Sequence, residues 1–212
     1  NRCCTTNNSV GDVWMSSEFG LRENYLDYCN RFRYVWQGLK YCSQSTDKTI
    51  SEVCEQRGYD ISRMSGILRK SGILHIDKDK FDPRELRSAD KGQLGLFSKS
   101  GNFILEDRYI LPIRDMIGNV VALVGWRKND KYITTPSRYF SKDCMFYGLE
   151  QLSDTGIGKK YVVVEGIFDS LSVRSLGLNC IAQMGSSSSR YKEPMYSLFK
   201  SILGIPDMDT TG

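Results

Sequence analysis

Glu165, Asp169, Asp207 and Asp209 are the residues whose types and spacing carry chemistry most directly. The first pair stands in YVVVEGIFDSL, residues 161–171, where an apolar run ends in Glu-Gly and an Asp follows four positions after the Glu. The second pair stands 42 positions beyond Glu165, in IPDMDTTG, again directly behind an apolar run. Carboxylates gathered within a few ångströms raise one another's pKa unless a cation neutralises them. An all-oxygen set suits a hard ion, Mg²⁺ or Mn²⁺, whose other ligands are commonly phosphate oxygens. Such an ion polarises phosphate and lowers the pKa of a bound hydroxyl or water, which is phosphoryl-transfer chemistry. The plain alternative is that Glu165 and Asp169 serve a helix N-terminus and PDMD is a solvated loop.

For the four acids to meet, one sheet must carry both runs on a common edge. From Lys159 onward the pattern predicts a strand over 161–164, a helix over about 168–176 and a strand over 179–183. A Ser-rich loop, a helix over about 192–199 and a strand over 201–205 complete it. Strands alternating with helices imply right-handed crossovers and a parallel sheet, whose ligands bind outside the strands' carboxyl ends. Glu165 directly follows the first strand and Asp207 and Asp209 the third, while Gly166 removes bulk beside Glu165.

Upstream the character changes. Residues 108–127, RYILPIRDMIGNVVALVGWR, read as an antiparallel hairpin turning at Gly118-Asn119, and KYITTPSRYF continues extended until Pro136 ends the ladder. Residues 47–74 predict short helices broken by Gly58, Gly66 and Gly72. A polar linker with at most one helical turn follows, and residues 21–42 read as a helix.

Composition bounds the rest. The longest apolar stretches, such as Val120 to Val124, are about five residues, far from the roughly 20 that span a bilayer, so no membrane segment is expected. Seven irregularly spaced cysteines argue for a reducing compartment, the cytoplasm, and for structural thiols rather than zinc ligands, since the adjacent Cys3 and Cys4 lack the spaced pairing of a zinc ribbon. His75 is assigned no role. TGIGKK, residues 155–160, precedes a strand and lacks P-loop spacing, so it reads as a turn. GSSSS, residues 185–189, is either a phosphate-contacting loop or a linker. A start without Met and a stop behind the acidic cluster read as a piece of a longer protein.

The net charge of +4 alone says little about nucleic acid, but its distribution says more. Arg127, Lys128, Lys131, Arg138 and Lys142 are interleaved with Trp126, Tyr132, Tyr139 and Phe140. Basic side chains hold phosphates while aromatic faces stack unpaired bases, the combination a single-strand groove needs. The plain alternative is a solvated face over core aromatics.

The run VVVEGIFDSLSVRSLGLN through GSSSS to ILGIPDMDTTG resembles a TOPRIM domain, strand-E-G-x-x-D followed by D-x-D-x-x-G. The preceding PIRD, GWR, KYITTP and YGL resemble, in order, motifs of the catalytic core of DnaG-type primases, over roughly residues 104–212. That family makes short RNA primers on single-stranded DNA from ribonucleoside triphosphates with a divalent metal. The resemblance implies Glu165 as the catalytic acid, with Asp207 and Asp209 as a metal-binding pair and Asp169 as the last acid of the first motif. Arg108, Arg114, Arg127, Lys131, Tyr132 and Lys142 match positions that hold template or nucleotide. Departures are GWR in place of Gly-Gly-Arg, TTP in place of a Ser-Pro ending, and Glu106 and Asp107 where the family is basic. CCTTNNSVGDVW resembles the tail of the family's zinc ribbon without its paired cysteines, and zinc is not expected.

The reading is therefore an α+β N-terminal subdomain with a β-hairpin, followed by an α/β TOPRIM subdomain with a parallel sheet. Residues 1–46 form a Cys/Tyr-rich segment, 47–152 the basic subdomain and 153–212 the TOPRIM subdomain. The expected function is a DNA primase core, a DNA-directed RNA polymerase using Mg²⁺ or Mn²⁺, with single-stranded DNA, ribonucleoside triphosphates and a replicative helicase as partners. The alternatives are a TOPRIM nuclease and a single-stranded DNA-binding module.

Overall fold

The computed structural model describes residues 25–90, 94–185 and 191–206. These fall into two compact units. The described parts of the first lie within Asn1–Gln44, Leu74–Pro112 and Asn119–Ser141, and those of the second within Ser45–Ile73, Ile113–Gly118 and Lys142–Gly212.

The first unit opens with α1 (Tyr25–Tyr41), whose Tyr28, Phe32, Val35, Trp36 and Leu39 recur at helical spacing and are all buried. Later in the chain come β1 (Leu74–His75), α4 (Pro83–Asp90), β2 (Tyr109–Arg114, whose last two residues group with the second unit), β3 (Val120–Trp126) and β4 (Ile133–Thr134). The strands form one sheet in that order, with Leu74 opposite Ile110 and Val124 opposite Thr134 in antiparallel register. β2 and β3 are buried along almost their whole length, as expected of strands covered on both faces. Their hairpin turns where predicted: Gly118 sits at φ +88°, its N–H reaching the Asp115 carbonyl at 3.1 Å. α1 packs on β3 and α4. The Tyr28 hydroxyl lies 2.8 Å from the Val121 carbonyl and 3.0 Å from that of Tyr139. The stretch predicted as linker contains α4, two turns starting at Pro83, where the missing N–H costs nothing, with the Asp82 carboxylate accepting from the Arg84 N–H at 2.8 Å.

The second unit contains α2 (Thr46–Arg57), α3 (Ile61–Ser71), α5 (Gln151–Thr155), β5 (Lys160–Val164), α6 (Ile167–Arg174), β6 (Cys180–Ala182), α7 (Glu193–Tyr196) and β7 (Ser201–Ile205). Gly58 and Gly72 end α2 and α3 in left-handed conformation, as the sequence suggested. Gly66 does not break its helix: α3 runs through it because Met64 and Leu68, one turn apart, are both buried. The three strands are parallel in the order β6-β5-β7, with α6 and α7 as crossovers. α7 is shorter than the predicted helix. Among the described residues no helix is long and apolar enough to cross a membrane.

Gly125 in β3 lies against Arg108, and a Cβ built there would stand 2.9 Å from Arg108 Cδ and 3.0 Å from Leu105 Cδ2. Gly125→Ala is therefore expected to destabilise the chain by about 1–3 kcal/mol, the usual cost of overpacking. Thermal unfolding checks this, and an unchanged Tm would mean that Arg108 is not fixed there.

Candidate functional site

The carboxyl edge of the parallel sheet is built by its backbone. The Gln183 N–H donates to the Val164 carbonyl at 2.8 Å and the Met184 N–H to the Glu165 carbonyl at 2.9 Å. Met184 has φ +61°, an uncommon conformation for a residue with a side chain, and it turns the chain at this edge. On the other side of β5, Val164 pairs with Ile205, the last residue of β7. Glu165 is half-buried at the end of β5. Asp169 lies in the first turn of α6 and folds back over Gly166, its Oδ2 only 2.0 Å from where a Cβ of residue 166 would stand. α6 itself is anchored by buried Ser170, whose Oγ donates to the Cys180 carbonyl at 3.1 Å. Phe168 adds to this, with the Arg57 guanidinium 4.6 Å above its ring. Asp207 and Asp209 lie outside the described residues, as do residues 186–190 of the Ser-rich loop and Cys3 and Cys4. Among the described residues no cluster of three or more metal-ligating side chains forms.

Two lysines approach the same edge. Lys142 heads a short 3-10 turn (Lys142–Cys144), and its Nζ lies 3.6 Å from where a Cβ on Gly185 would stand. Lys192, which sequence reasoning did not single out, is 1% exposed, and its ammonium donates to the Gln183 carbonyl. Burial pulls its pKa down to about 8, against the pull of nearby Asp143. One Lys among the polar residues of RYKEPMY gives no sign of burial, so sequence offered no signal for it.

The basic residues of the first unit gather around Asp130. The turn is closed by Asp130 N–H to the Arg127 carbonyl at 3.2 Å, with Asn129 at φ +61°. The Asp130 carboxylate accepts from Arg127 at 2.7 Å, from the Lys131 N–H at 2.8 Å and from Arg108 at 2.6 Å, and these donors hold it below the usual carboxylate range. Arg108 is 6% exposed and donates also to the Lys131 carbonyl at 2.9 Å, so its guanidinium builds the turn from beneath. Arg127, Lys128, Lys131 and Tyr132 are exposed. The expected aromatic interleaving is corrected here: Trp126 and Phe140 are core residues, and Tyr132 is the exposed ring of the four. Arg114, in the second unit, donates to the Gly118 carbonyl at 3.1 Å at the hairpin tip.

Because the φ of Gly166 is −94°, Ala fits its backbone and only the Asp169 carboxylate must move. Gly166→Ala is expected to change stability by less than about 1 kcal/mol, since the Gly→Ala gain at an allowed backbone conformation is offset by Ala being a poorer helix N-cap than Gly. Mn²⁺ affinity, followed by the electron paramagnetic resonance of the free ion, is expected to fall about tenfold, as when a ligand's support is lost. Unchanged affinity would remove Asp169 from the candidate site.

No family model matches the chain. The DNA primase of Thermotoga maritima is 32% identical over 207 residues, covering 89% of this chain and 35% of that protein. The chain spans 22 to 35% of the length of the first curated relatives it matches, each of them a DNA primase. A solved DnaG catalytic core superposes with a TM-score of 0.63 at 21% identity, over 87% of this chain and 63% of that one. A DnaG primase catalytic domain solved bound to single-stranded DNA gives 0.59 at 20% identity, over 86% and 64%. These structures share the overall fold of this chain, and the first three curated relatives align with 60 to 89% of it. The chain belongs to the DnaG-type primases and corresponds to part of their catalytic core.

Proposed function

We propose that this chain carries the site for metal-dependent synthesis of short RNA primers on single-stranded DNA. The observation that supports it most is the register of β5 and β7. Val164 and Ile205 are partners, so Glu165 and Pro206 leave the sheet side by side, and Asp207 is the next residue in sequence. In this reading the second unit contains a TOPRIM fold, and Glu165, Asp169, Asp207 and Asp209 would hold Mg²⁺ or Mn²⁺. The donor set fits such an ion: its groups are carboxylates, and Gly166 leaves the space that the Asp169 carboxylate occupies. When bound, the ion supplies charge neutralisation for a triphosphate and acidifies a coordinated hydroxyl.

The chain's own residues do the rest. Glu165 accepts the proton of the attacking 3′-hydroxyl or fixes its position, and Lys142 faces the triphosphate from the same edge. Arg127, Lys131 and Tyr132 hold template, two by phosphate contact and one by stacking. Arg114 serves the same template from the hairpin tip, and Arg108 acts through the turn it supports. Most of the catalysis then comes from positioning and charge stabilisation. By role, residues 47–152 serve template and 153–212 the metal, with 1–46 as the tail of an upstream segment. By compactness, α2 and α3 group with the parallel sheet. The substrates are ribonucleoside triphosphates, the working partner is a replicative helicase, and the place is the cytoplasm of a bacterium or a phage-infected host.

The direct test is incorporation of labelled ribonucleotides on single-stranded DNA with Mg²⁺ or Mn²⁺. Product that depends on metal and is lost in Glu165→Gln is expected. Metal-dependent cleavage without incorporation would replace the reading with a nuclease, and DNA binding indifferent to metal with neither activity would reduce it to a binding module. Arg127→Ala with Lys131→Ala is expected to weaken DNA binding and to flatten its logarithmic salt dependence by roughly 0.7 per lost phosphate contact. An unchanged slope would take the turn out of the template path.

A further inference from the structure

Gln183 is clamped on both sides of its peptide backbone. Its N–H donates to Val164 of β5, and its carbonyl accepts from the buried ammonium of Lys192. That clamp sets the path of the next two residues: Met184 in left-handed conformation donating to the Glu165 carbonyl, then Gly185 facing Lys142. An apolar side chain in place of Lys192 would fill the same space without the donor.

A lysine is among the residue types least often buried, and burying its charge is unfavourable unless the charge is used. Here the ammonium is surrounded by groups from each segment packed on it. Asp143, Cys144 and Lys142 face it from the 3-10 turn, the Phe146 ring centroid lies 5.3 Å away, and the Gln183 carbonyl faces it from the end of β6. Asp143 attracts this charge and Lys142 repels it. The ammonium thus ties the 183–185 corner to the turn that carries Lys142, and both reach the edge where Glu165 stands.

We propose that Lys192 is a positioning residue for triphosphate binding, its ammonium holding the 183–185 corner and the Lys142 turn in fixed relation to Glu165. This rests on the reading that ribonucleoside triphosphates bind at that edge. Lys192 itself is covered and touches no ligand; it acts through the corner and the turn. Because burial leaves Lys192 with a pKa of about 8, the clamp holds below that pH and releases as pH rises through it, when the neutral amine loses its attraction to Asp143 and its strong donation to Gln183.

The test is binding of a fluorescent ribonucleoside triphosphate with Mg²⁺ from pH 7 to 9, in the wild-type chain and in Lys192→Met, with near-ultraviolet circular dichroism reporting the fold. Wild-type affinity is expected to fall about tenfold as pH rises past about 8, the size of effect seen when support behind ligand-holding groups is lost. Lys192→Met is expected to be weak already at pH 7 and to show no step, which assigns the step to Lys192 and not to Cys144 or Lys142. A flat wild-type profile overturns the inference even if the variant does not fold, and so does a folded variant that keeps both affinity and step. A wild-type chain that binds no triphosphate at any pH overturns the proposed function, and this inference with it.

Discussion

Backbone hydrogen bonds on both edges of β5 hold the carboxyl end of one buried strand in place, and the rest of the site takes its coordinates from that end. β5 is buried from Tyr161 to Val164 and pairs with β6 on one side and β7 on the other. A strand laddered on both edges cannot slip by one residue without breaking its register with both neighbours, so the residue after Val164 has a determined position. Glu165 is that residue. Its carbonyl in turn receives the Met184 N–H, which extends the constraint from the strand into the loop beyond β6. Helix α6 starts two residues after Glu165, and the missing side chain at Gly166 lets the Asp169 carboxylate lie back over the helix start.

Loops around this frame are held by charge taken out of water. Arg108 is buried beneath the turn at Asp130, and Lys192 beneath the corner at Gln183. In each case the cation bonds to a backbone carbonyl, so it fixes chain direction as well as balancing charge. Buried charges gain little net stability, but removing one partner leaves the other stranded, which gives such loops a single arrangement. Arg174 and Glu150 form a further, largely covered ion pair at 3.6 Å, burial pushing the Glu150 carboxyl up and Arg174 pulling it down.

Periodicity made most of the second unit legible. The apolar run at 161–164 and the Gly-terminated helices were readable because local propensity and tertiary packing agree there, whereas the strand at 201–205 is exposed along its length and was readable from its apolar run and its place in the alternation alone. Gly66 misled, since an isolated glycine costs only about 1 kcal/mol in a helix and two buried neighbours outweigh it. Trp126 and Phe140 misled in the other direction. Basic, exposed residues stand near them in sequence, but Trp126 ends a strand buried along its whole length and the turn at Pro136 takes Phe140 into the core.

The order of elements, the parallel edge and the acids that follow its strands were determined by the sequence itself, because period, turn chemistry and strand-end position are local or nearly local properties. Which cations are free and which are buried was decided only in three dimensions. Arg108 and Arg127 are alike in sequence, yet one supports the turn and the other stands on it. Lys192 is one lysine among many until the fold buries it beside Phe146 and the 142–144 turn and brings a carbonyl at the end of β6 within reach. Burial and hydrogen-bond partnership depend on residues far apart in the chain, and no local pattern encodes them.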